Sequence, residues 1–258
     1  MDQRENAHET LTMVSDALRD GRVPLALQPV VMAEGDRRPA FYEGLIRLID
    51  RTGRAVPAAR FIDAVESHDL GREIDREALR LGIAELHADP AMRLSVNLSP
   101  RSIGCPAWME VLEQGLEQDP TLGERLILEI TERSAMEIPA EVQAFMATLQ
   151  LRGISFALDD FGAGQTSFRH LRDFAFDIVK IDGQFSREVA RDPDNQALIR
   201  ALVDLSRHFE MFTVAEHVAC AEDADSLAEL GIDCLQGYHF GAPALSTLPA
   251  PVPDLARA

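Results

Sequence analysis

The sequence contains few cysteines, and they are poorly placed for cross-linking or for zinc. Its 258 residues include only Cys105, Cys220 and Cys234. The three are odd in number and widely separated, and no CxxC or Cys/His pair occurs. This spacing argues against a disulfide framework and against a structural zinc site. A reducing compartment is the environment that fits such a chain.

Basic residues are also scarce. Lys and Arg number 25 against 43 Asp and Glu, which gives a net charge of −18 and an isoelectric point near 4.7. A chain with this balance lacks the excess of basic residues that binds a nucleic acid or an anionic bilayer, so we expect neither as a partner. A small phosphate ester would need another source of positive charge. Metal ions held by carboxylates would supply it.

Long apolar runs are missing as well. No stretch approaches the roughly 18 apolar residues of a membrane span, and residues 1–10 lack the apolar core of a signal peptide. We therefore expect a cytoplasmic protein. The content of 46% apolar and 26% charged residues is that of an ordinary globular chain. Its length predicts one domain over 1–258, with a helix at about 7–20 and a Pro/Ala-rich tail from 243.

Short apolar runs alternate regularly with stretches of helical periodicity. This alternation predicts parallel strands joined by crossover helices, and the number of runs favours a TIM-type barrel over an open sheet. The predicted strands are 25–31, 41–48, 93–96, 126–130, 155–158, 178–181, 213–215 and 233–235. The predicted helices are 69–87, 107–118, 140–151, 195–209 and 221–230.

Polar side chains lie where many of these runs end. The carboxyl ends of parallel barrel strands meet at one mouth, where barrel enzymes build their active sites. One polar residue after a strand is ordinary, but five carboxylates at one rim would repel each other unless cations lay among them. Oxygen ligands select Mg²⁺, Mn²⁺ or Ca²⁺. The residues are Glu43, Asn97, Glu129, Asp159, Asp160, Lys180, Glu216 and Gln236.

Asp159 and Asp160 are adjacent in the sequence. Successive side chains of a strand face opposite ways, so the pair predicts that the strand ends at Asp159. Gly162 and Gly164 would then form a turn that lets both carboxylates reach one site. Two metal ions held there would suit hydrolysis of a phosphate ester. The alternative is a helix N-cap followed by a turn residue.

Lys180 lies among apolar neighbours in a predicted strand. A buried ammonium group is costly without partners, so we expect Lys180 to pair with the carboxylates. There it would orient an attacking water or neutralise phosphate charge. The alternative is a purely structural ion pair in the barrel core.

Eight collinear motifs, spread over residues 11–243, resemble those of the EAL-domain cyclic di-GMP phosphodiesterases. Eight motifs in order are far more specific than one. They are Gln28-Pro29, Glu43-Gly44-Leu45-Ile46-Arg47, Val96-Asn97-Leu98-Ser99, Glu129-Ile130-Thr131-Glu132, Asp159-Asp160-Phe161-Gly162-Ala163-Gly164, Val179-Lys180-Ile181-Asp182, Ala215-Glu216 and Gln236-Gly237-Tyr238.

The resemblance implies an α/β fold, a modified TIM (β/α)8-type barrel whose first strand runs antiparallel to the rest. It implies hydrolysis of cyclic di-GMP to linear pGpG with two Mg²⁺ or Mn²⁺ ions, inhibition by Ca²⁺, and pairing into homodimers. Matched by position, the first metal's ligands are Glu43, Asn97, Glu129 and Asp159, and Asp160 and Glu216 serve the second metal and its water. Lys180 matches the catalytic lysine, Glu132 matches the residue that steadies the glycine loop, and the dinucleotide contacts are Gln28, Leu45, Arg47 and Gln236. Glu132 could equally be a first-turn helix acid.

The chain departs from the family pattern at three positions. Gly44 replaces an alanine, which we expect to be tolerated. Residues 215–219 read Ala-Glu-His-Val-Ala where the family usually reads Ala-Glu-Gly-Val-Glu. His217 thus replaces a glycine, and Ala219 lacks a second carboxylate near the metals, which would lower activity.

Two further functions stay open from the sequence. The first is a receptor that binds cyclic di-GMP with little turnover and signals through a partner protein, as the missing carboxylate at Ala219 would allow. The second is a metal-dependent lyase or enolising barrel, whose chemistry also uses lysine and acidic ligands at strand ends. The paired aspartates followed by the 161–164 loop argue against this second function.

Overall fold

The computed structural model describes residues 3–162 and 172–248, in which eight strands form a closed barrel. Two further short strands, Ala55–Pro57 and Ala244–Leu245, extend the sheet beside the barrel strands Pro39–Ile49 and Leu25–Met32. The strands are β1 (Leu25–Met32), β2 (Pro39–Ile49), β3 (Ala55–Pro57), β4 (Leu94–Asn97), β5 (Leu126–Thr131), β6 (Ser155–Phe161), β7 (Ile178–Ile181), β8 (Phe212–Ala215), β9 (Cys234–Gln236) and β10 (Ala244–Leu245).

The first strand runs against the direction of the other barrel strands. β1 pairs antiparallel with β2 on one side and with β9 on the other. All other neighbours in the barrel, from β2–β4 round to β8–β9, are parallel. The predicted fold, a modified TIM-type barrel with an antiparallel first strand, is confirmed.

Helices connect the parallel strands and cover the outside of the barrel. Local signals fix several starts: Pro106 and Pro193 occupy first helical turns, and the Asp192 side chain accepts hydrogen bonds from the backbone N–H groups of Asp194 and Asn195. The described helices are α1 (Gln3–Arg19), α2 (Ile62–Val65), α3 (Asp69–Ala88), α4 (Pro106–Gln118), α5 (Glu132–Glu137), α6 (Pro139–Gln150), α7 (Gly183–Ser186), α8 (Pro193–His208) and α9 (Ala221–Glu229). Short 3-10 turns lie at Ala58–Arg60, Pro100–Ser102, Leu122–Arg125 and Val189–Arg191.

The buried apolar side chains of the described residues form two separate clusters. The larger one includes Leu79, Trp108 and Phe156 and packs between the barrel wall and the helices. The smaller one fills the barrel interior, because alternate residues of each barrel strand point inward. This floor cluster consists of Val30, Phe41, Ile127, Ala157, Ile178, Val214 and Cys234.

Both ends of the described chain pack on the barrel. Helix α1 buries Val14 and Ala17 and lies against α2, α3 and β2. Strand β10 pairs with β1, and residues 249–258 of the Pro/Ala-rich tail lie outside the described residues. Within the described residues, none of the helices has the length and apolar character required to traverse a bilayer.

Candidate functional site

Each of the eight barrel strands places one polar side chain at the same end of the barrel. Seven of these side chains lie two positions along the strand from a member of the floor cluster, so strand alternation turns them into the interior. The register between neighbouring strands places these side chains at the same height along the barrel axis, as in the pairing of Asn97 with Glu129. We call this set the mouth ring: Gln28, Glu43, Asn97, Glu129, Asp159, Lys180, Glu216 and Gln236.

Lys180 lies at the centre of the mouth ring and is 1% exposed. Its Nζ atom is 2.7 Å from Glu129 Oε2, 2.9 Å from Asp159 Oδ1 and 3.0 Å from Glu216 Oε1. Glu43 Oε2 is slightly farther away, at 3.4 Å. The expected pairing of Lys180 with the carboxylates is therefore present, and it involves four of them.

This crowding shifts the protonation of the whole cluster. Burial, followed by the charge of Glu43, raises the pKa of Glu129 well above its usual range. Burial also raises the pKa of Glu216 to about 8, although Lys180 opposes that change. Burial alone would lower the pKa of Lys180, but Asp159 and the other carboxylates raise it well above its usual range. One ammonium group cannot balance four buried carboxylates, so without a cation Glu129 and Glu216 favour their protonated forms.

The two adjacent aspartates reach one site by a different route from the predicted one. The prediction that the strand ends at Asp159 is wrong, because β6 continues to Phe161. A register irregularity lies between Leu158 and Phe161, and Asp160 has a left-handed backbone with φ of 55°. This bulge breaks the normal alternation of side chains. Carboxylate oxygens of Asp159, Asp160 and Glu216 therefore all lie within 4.8 Å of one another.

The glycine turn after these aspartates is partly described. Gly162 has φ of 95°, a conformation that favours glycine, whereas Gly164 lies outside the described residues. Glu132 is the first residue of α5, and its Oε2 accepts a long hydrogen bond, of 3.4 Å, from the Gly162 backbone N–H. Both interpretations of Glu132 therefore hold in part, since it is a first-turn acid and it also contacts the turn.

The donor set of the mouth ring fits divalent cations. Glu129 Oε1 is buried and has no hydrogen-bond partner among the described residues, so it is an oxygen that a cation could satisfy. The neighbouring donors are carboxylates and the side-chain amide of Asn97, whose Nδ2 donates to Glu43 Oε1 at 3.3 Å. Oxygen donors of this kind suit Mg²⁺, Mn²⁺ or Ca²⁺.

A second group of predicted residues lies beside the ring. Gln236 Nε2 donates to Glu43 Oε2 at 2.5 Å and to Gln28 Oε1 at 3.3 Å, and Gln28 Nε2 donates to the Gly241 carbonyl at 3.0 Å. Arg47 is half-buried, and this burial lowers its pKa. Together with Leu45, these residues line a cavity of about 450 Å³ that we call the side cavity.

A larger cavity, of about 1190 Å³, also opens at the ring. Its lining includes Asn97, Glu132 and the apolar side chain of Met136. The two cavities share lining residues, among them Glu43 and Asp160. They therefore form one elongated groove across the mouth of the barrel, and all twelve predicted site residues line it or lie in the ring beneath it.

The departures from the family pattern also lie at this groove. His217 has φ of 58°, and it lines both cavities. A left-handed backbone favours glycine, which is the residue that the resemblance noted in the sequence leads us to expect at this position. The His217 side chain packs directly on Gly183, where an added Cβ would lie 2.6 Å from three of its atoms. Ala219 is exposed and lines the side cavity.

Sequence reasoning missed Asp75, which lies on α3 and is 7% exposed. Its Oδ2 accepts hydrogen bonds from the backbone N–H of Ser99 at 3.1 Å and from the hydroxyl groups of Ser99 and Ser102 at 2.5 and 2.6 Å. Burial raises its pKa, and these hydrogen bonds oppose the change. Asp75 thus holds the loop that follows Asn97. An acid among the apolar positions of a predicted helix was the available signal.

Comparison with known proteins gives a consistent result. The EAL domain model matches residues 12–243. Cyclic di-GMP phosphodiesterase PdeB of Shewanella oneidensis is 31% identical over 244 residues, which cover 93% of this chain and 28% of that protein. The chain therefore spans less than a third of the length of that curated relative.

Solved structures resemble the barrel closely. The PaMucR phosphodiesterase, in a c-di-GMP complex, has a TM-score of 0.82 at 27% identity and covers 92% of this chain and 97% of that one. BlrP1 of Klebsiella pneumoniae, in a calcium and cy-diGMP complex, has a TM-score of 0.76 at 26% identity and covers 87% of this chain and 56% of that one. Because the family match spans most of the sequence, this chain belongs to the EAL domain family.

Proposed function

We propose that this chain hydrolyses one phosphodiester bond of cyclic di-GMP to give linear pGpG, in a reaction that depends on Mg²⁺ or Mn²⁺. The observation that carries the proposal is a buried lysine surrounded by four carboxylates at the mouth of the barrel. The names of its relatives, which include a cyclic di-GMP phosphodiesterase and a c-di-GMP complex, support the choice of substrate.

Six residues of the mouth would hold two divalent cations. We assign Glu43, Asn97, Glu129 and Asp159 to the first ion, and Asp160 and Glu216 to the second. Cations bound there would supply Lewis-acid stabilisation of phosphoryl oxygens and would lower the pKa of a water. The unsatisfied Glu129 Oε1 and the presence of four carboxyl groups around a single lysine support this assignment. Calcium, which suits the same oxygens but prefers a looser geometry, is expected to bind and inhibit.

Lys180 and Glu216 would act directly in the reaction. The raised pKa of Lys180 keeps it protonated at neutral pH, so it acts as a hydrogen-bond donor that orients the water and neutralises phosphate charge. Glu216 accepts a proton from the attacking water as the water oxygen bonds to phosphorus. The bond from phosphorus to the ribose 3′ oxygen breaks. That oxygen takes up a proton from solvent, and Glu216 returns its proton to solvent, so one water is added across the broken bond.

The side cavity would hold part of the dinucleotide. Gln28 and Gln236 present amide groups, and Leu45 presents an apolar surface. Arg47 would pair with a phosphate oxygen through its planar fork. Half-burial strengthens such a pair, because water competes less for its charge.

A second candidate function is a receptor that binds cyclic di-GMP with little turnover and signals through a partner protein. The observation in its favour is that Ala219 lines the side cavity where the family usually has a carboxylate. We further propose that residues 1–258 contain one barrel domain of a cytoplasmic protein that pairs into homodimers. Light scattering of the purified chain tests the oligomeric state.

One assay separates the two candidate functions. The chain is incubated with cyclic di-GMP and Mg²⁺ or Mn²⁺, pGpG is followed by chromatography, and binding is measured in parallel with Ca²⁺. Turnover supports the enzyme, and binding without product supports the receptor. Loss of both would remove cyclic di-GMP as the ligand.

Matched variants test the assigned residues. Glu43→Ala and Lys180→Ala are each expected to abolish turnover, because they remove a proposed metal ligand and the buried cation. Arg191→Ala is the control, since Arg191 is exposed and pairs with Glu222 away from the groove. Preserved activity in either site variant, with folding confirmed by circular dichroism, would remove the assignment of that residue.

A further inference from the structure

One cation of the side cavity has no role in the proposed hydrolysis. Lys180, Arg47 and Arg187 all line this cavity. Lys180 is paired with carboxylates, and Arg47 is half-buried beside Glu43. The Arg187 side chain is exposed and forms no ion pair or side-chain hydrogen bond within the part of the chain that the structure describes. It is therefore free to meet a ligand in a chain whose net charge is −18.

Arg187 lies in a turn that is held in place by backbone hydrogen bonds. The Arg187 backbone N–H donates to the Gly183 carbonyl at 3.0 Å and closes α7. Glu188 then has a left-handed backbone, with φ of 55°. Its N–H and that of Ala190 each donate to Asp223 at 3.1 Å, and Asp223 is only 6% exposed. A strained residue persists where its surroundings hold it, so the buried carboxylate fixes the backbone at Arg187.

An aromatic ring lines the same cavity. It belongs to Tyr238, which is 77% exposed. Its segment is closely packed, because an added Cβ on Gly237 would lie 2.0 Å from the Val218 carbonyl oxygen. The cavity thus combines an exposed aromatic side chain with a guanidinium that has no side-chain partner among residues 3–162 and 172–248. These are the two groups with which proteins hold a nucleobase by hydrogen bonding and by stacking.

We propose that Arg187 recognises a guanine base of the bound dinucleotide through its O6 and N7 atoms, while Tyr238 stacks on that base. The inference rests on the proposed function and extends it to base specificity. The edge of guanine that carries O6 and N7 offers two acceptors, and these match the planar fork of the arginine guanidinium. Adenine places an amino donor where guanine has O6, so the same arginine disfavours it.

The experiment measures affinity with Ca²⁺ present, for the wild type and for Arg187→Ala. The ligands are cyclic di-GMP, cyclic di-AMP and a cyclic di-GMP analogue with 7-deazaguanine bases, which lacks only the N7 acceptors. The wild type is expected to bind the deaza analogue and cyclic di-AMP about tenfold or more weakly than cyclic di-GMP. Arg187→Ala is expected to weaken binding of cyclic di-GMP by a similar factor and to bind all three ligands almost equally.

Arg191→Ala is the matched control, because it removes an arginine four residues away whose partner, Glu222, lies outside the side cavity. It should keep the wild-type preference. Equal losses for all ligands on Arg187→Ala would mean that Arg187 acts on phosphate charge, and unchanged affinities would mean that it does not contact the ligand. Either result overturns the inference while leaving the proposed function standing. A wild type that binds none of the ligands removes the proposed function, and the inference with it.

Discussion

At the residue scale, the backbone of the segment 215–219 shapes the wall of the groove beside the mouth ring. His217 occupies a left-handed position that costs a non-glycine residue about 1–3 kcal/mol. Gly183 leaves the space that the histidine side chain fills. The two positions are therefore coupled, although 34 residues separate them in the sequence.

This coupling gives a prediction about stability. Gly183→Ala should lower the free energy of unfolding by about 1–3 kcal/mol, because its new Cβ would overlap the His217 side chain. In a His217→Gly background the same change should cost far less, since the overlapping atoms are gone. Urea unfolding of the four proteins of this cycle measures the coupling. Additive effects of the two substitutions would contradict it.

Ala219 gives a second prediction at this scale. If the missing carboxylate limits catalysis, Ala219→Glu should raise kcat by about tenfold, as expected for a group that supports metal ligands. Ala219→Gln has the same size without the charge and should leave the rate unchanged. An equal rise in both variants would show that packing, and not charge, is responsible.

The strand ends made most of the site residues predictable from the sequence alone. Apolar runs identify the strands, and the polar residue after each run lies at the mouth, as for Glu129 and Lys180. Asp75 and Arg187 could not be found in this way. Their importance depends on contacts or cavities between elements far apart in the chain. The sequence therefore carries no signal for Arg187, and for Asp75 it offers only an acid among the apolar positions of a predicted helix.

At the element scale, long elements were predicted well and short ones were missed. The predicted strand 178–181 agrees with β7. The predicted helix 69–87 starts where α3 starts and ends one residue before the end of α3. Strand β3 and helix α2 have only three and four residues, too few to show a period. The bulge in β6 was missed because strand alternation was assumed to hold up to a clean end.

Helix α3 links the outer layer to the site through Asp75. We expect Asp75→Asn to weaken Mg²⁺ activation by about tenfold with a small effect on kcat at saturating Mg²⁺. The reason is that a neutral amide oxygen is a weaker acceptor than a carboxylate oxygen for the three hydrogen bonds that hold the loop after Asn97. Turnover against Mg²⁺ concentration measures this shift.

The control for this prediction lies on the same helix. Glu85 is also buried, and it accepts a hydrogen bond from the Ser246 hydroxyl in the segment that follows β10. Glu85→Gln should reduce thermal stability without changing the Mg²⁺ requirement. If Glu85→Gln and Asp75→Asn shift the requirement equally, Asp75 has only a structural role.

At the scale of the whole molecule, the concentration of carboxylates makes stability depend on cations and pH together. An ordinary glutamate titrates near 4.5, whereas burial raises the pKa of Glu216 to about 8 in the folded chain and that of Glu129 well above its usual range. Between pH 4.5 and about 8, the folded protein therefore keeps a proton on Glu216 that the unfolded chain has released. Stability without cations should therefore fall as the pH rises from about 5 to 8, by at most about 1.4 kcal/mol per unit for each proton.

Lys180 does not reverse this trend. The ordinary pKa of a lysine already lies above pH 8, and the pKa of Lys180 is raised further, so this group stays protonated in both the folded and the unfolded chain between about pH 5 and 8. Divalent cations should remove the trend, since they favour the deprotonated carboxylates and replace the bound protons. Thermal unfolding at several pH values, with EDTA or with Mg²⁺, tests both statements.

Glu216→Gln serves as the internal reference. It keeps the general repulsion between surface charges but lacks one titrating group, so its stability in EDTA should fall less steeply with pH. A wild type whose stability in EDTA rises across this range, or whose slope equals that of Glu216→Gln, would mean that the mouth carboxylates are already ionised and that the negative charge of the ring is balanced in some other way.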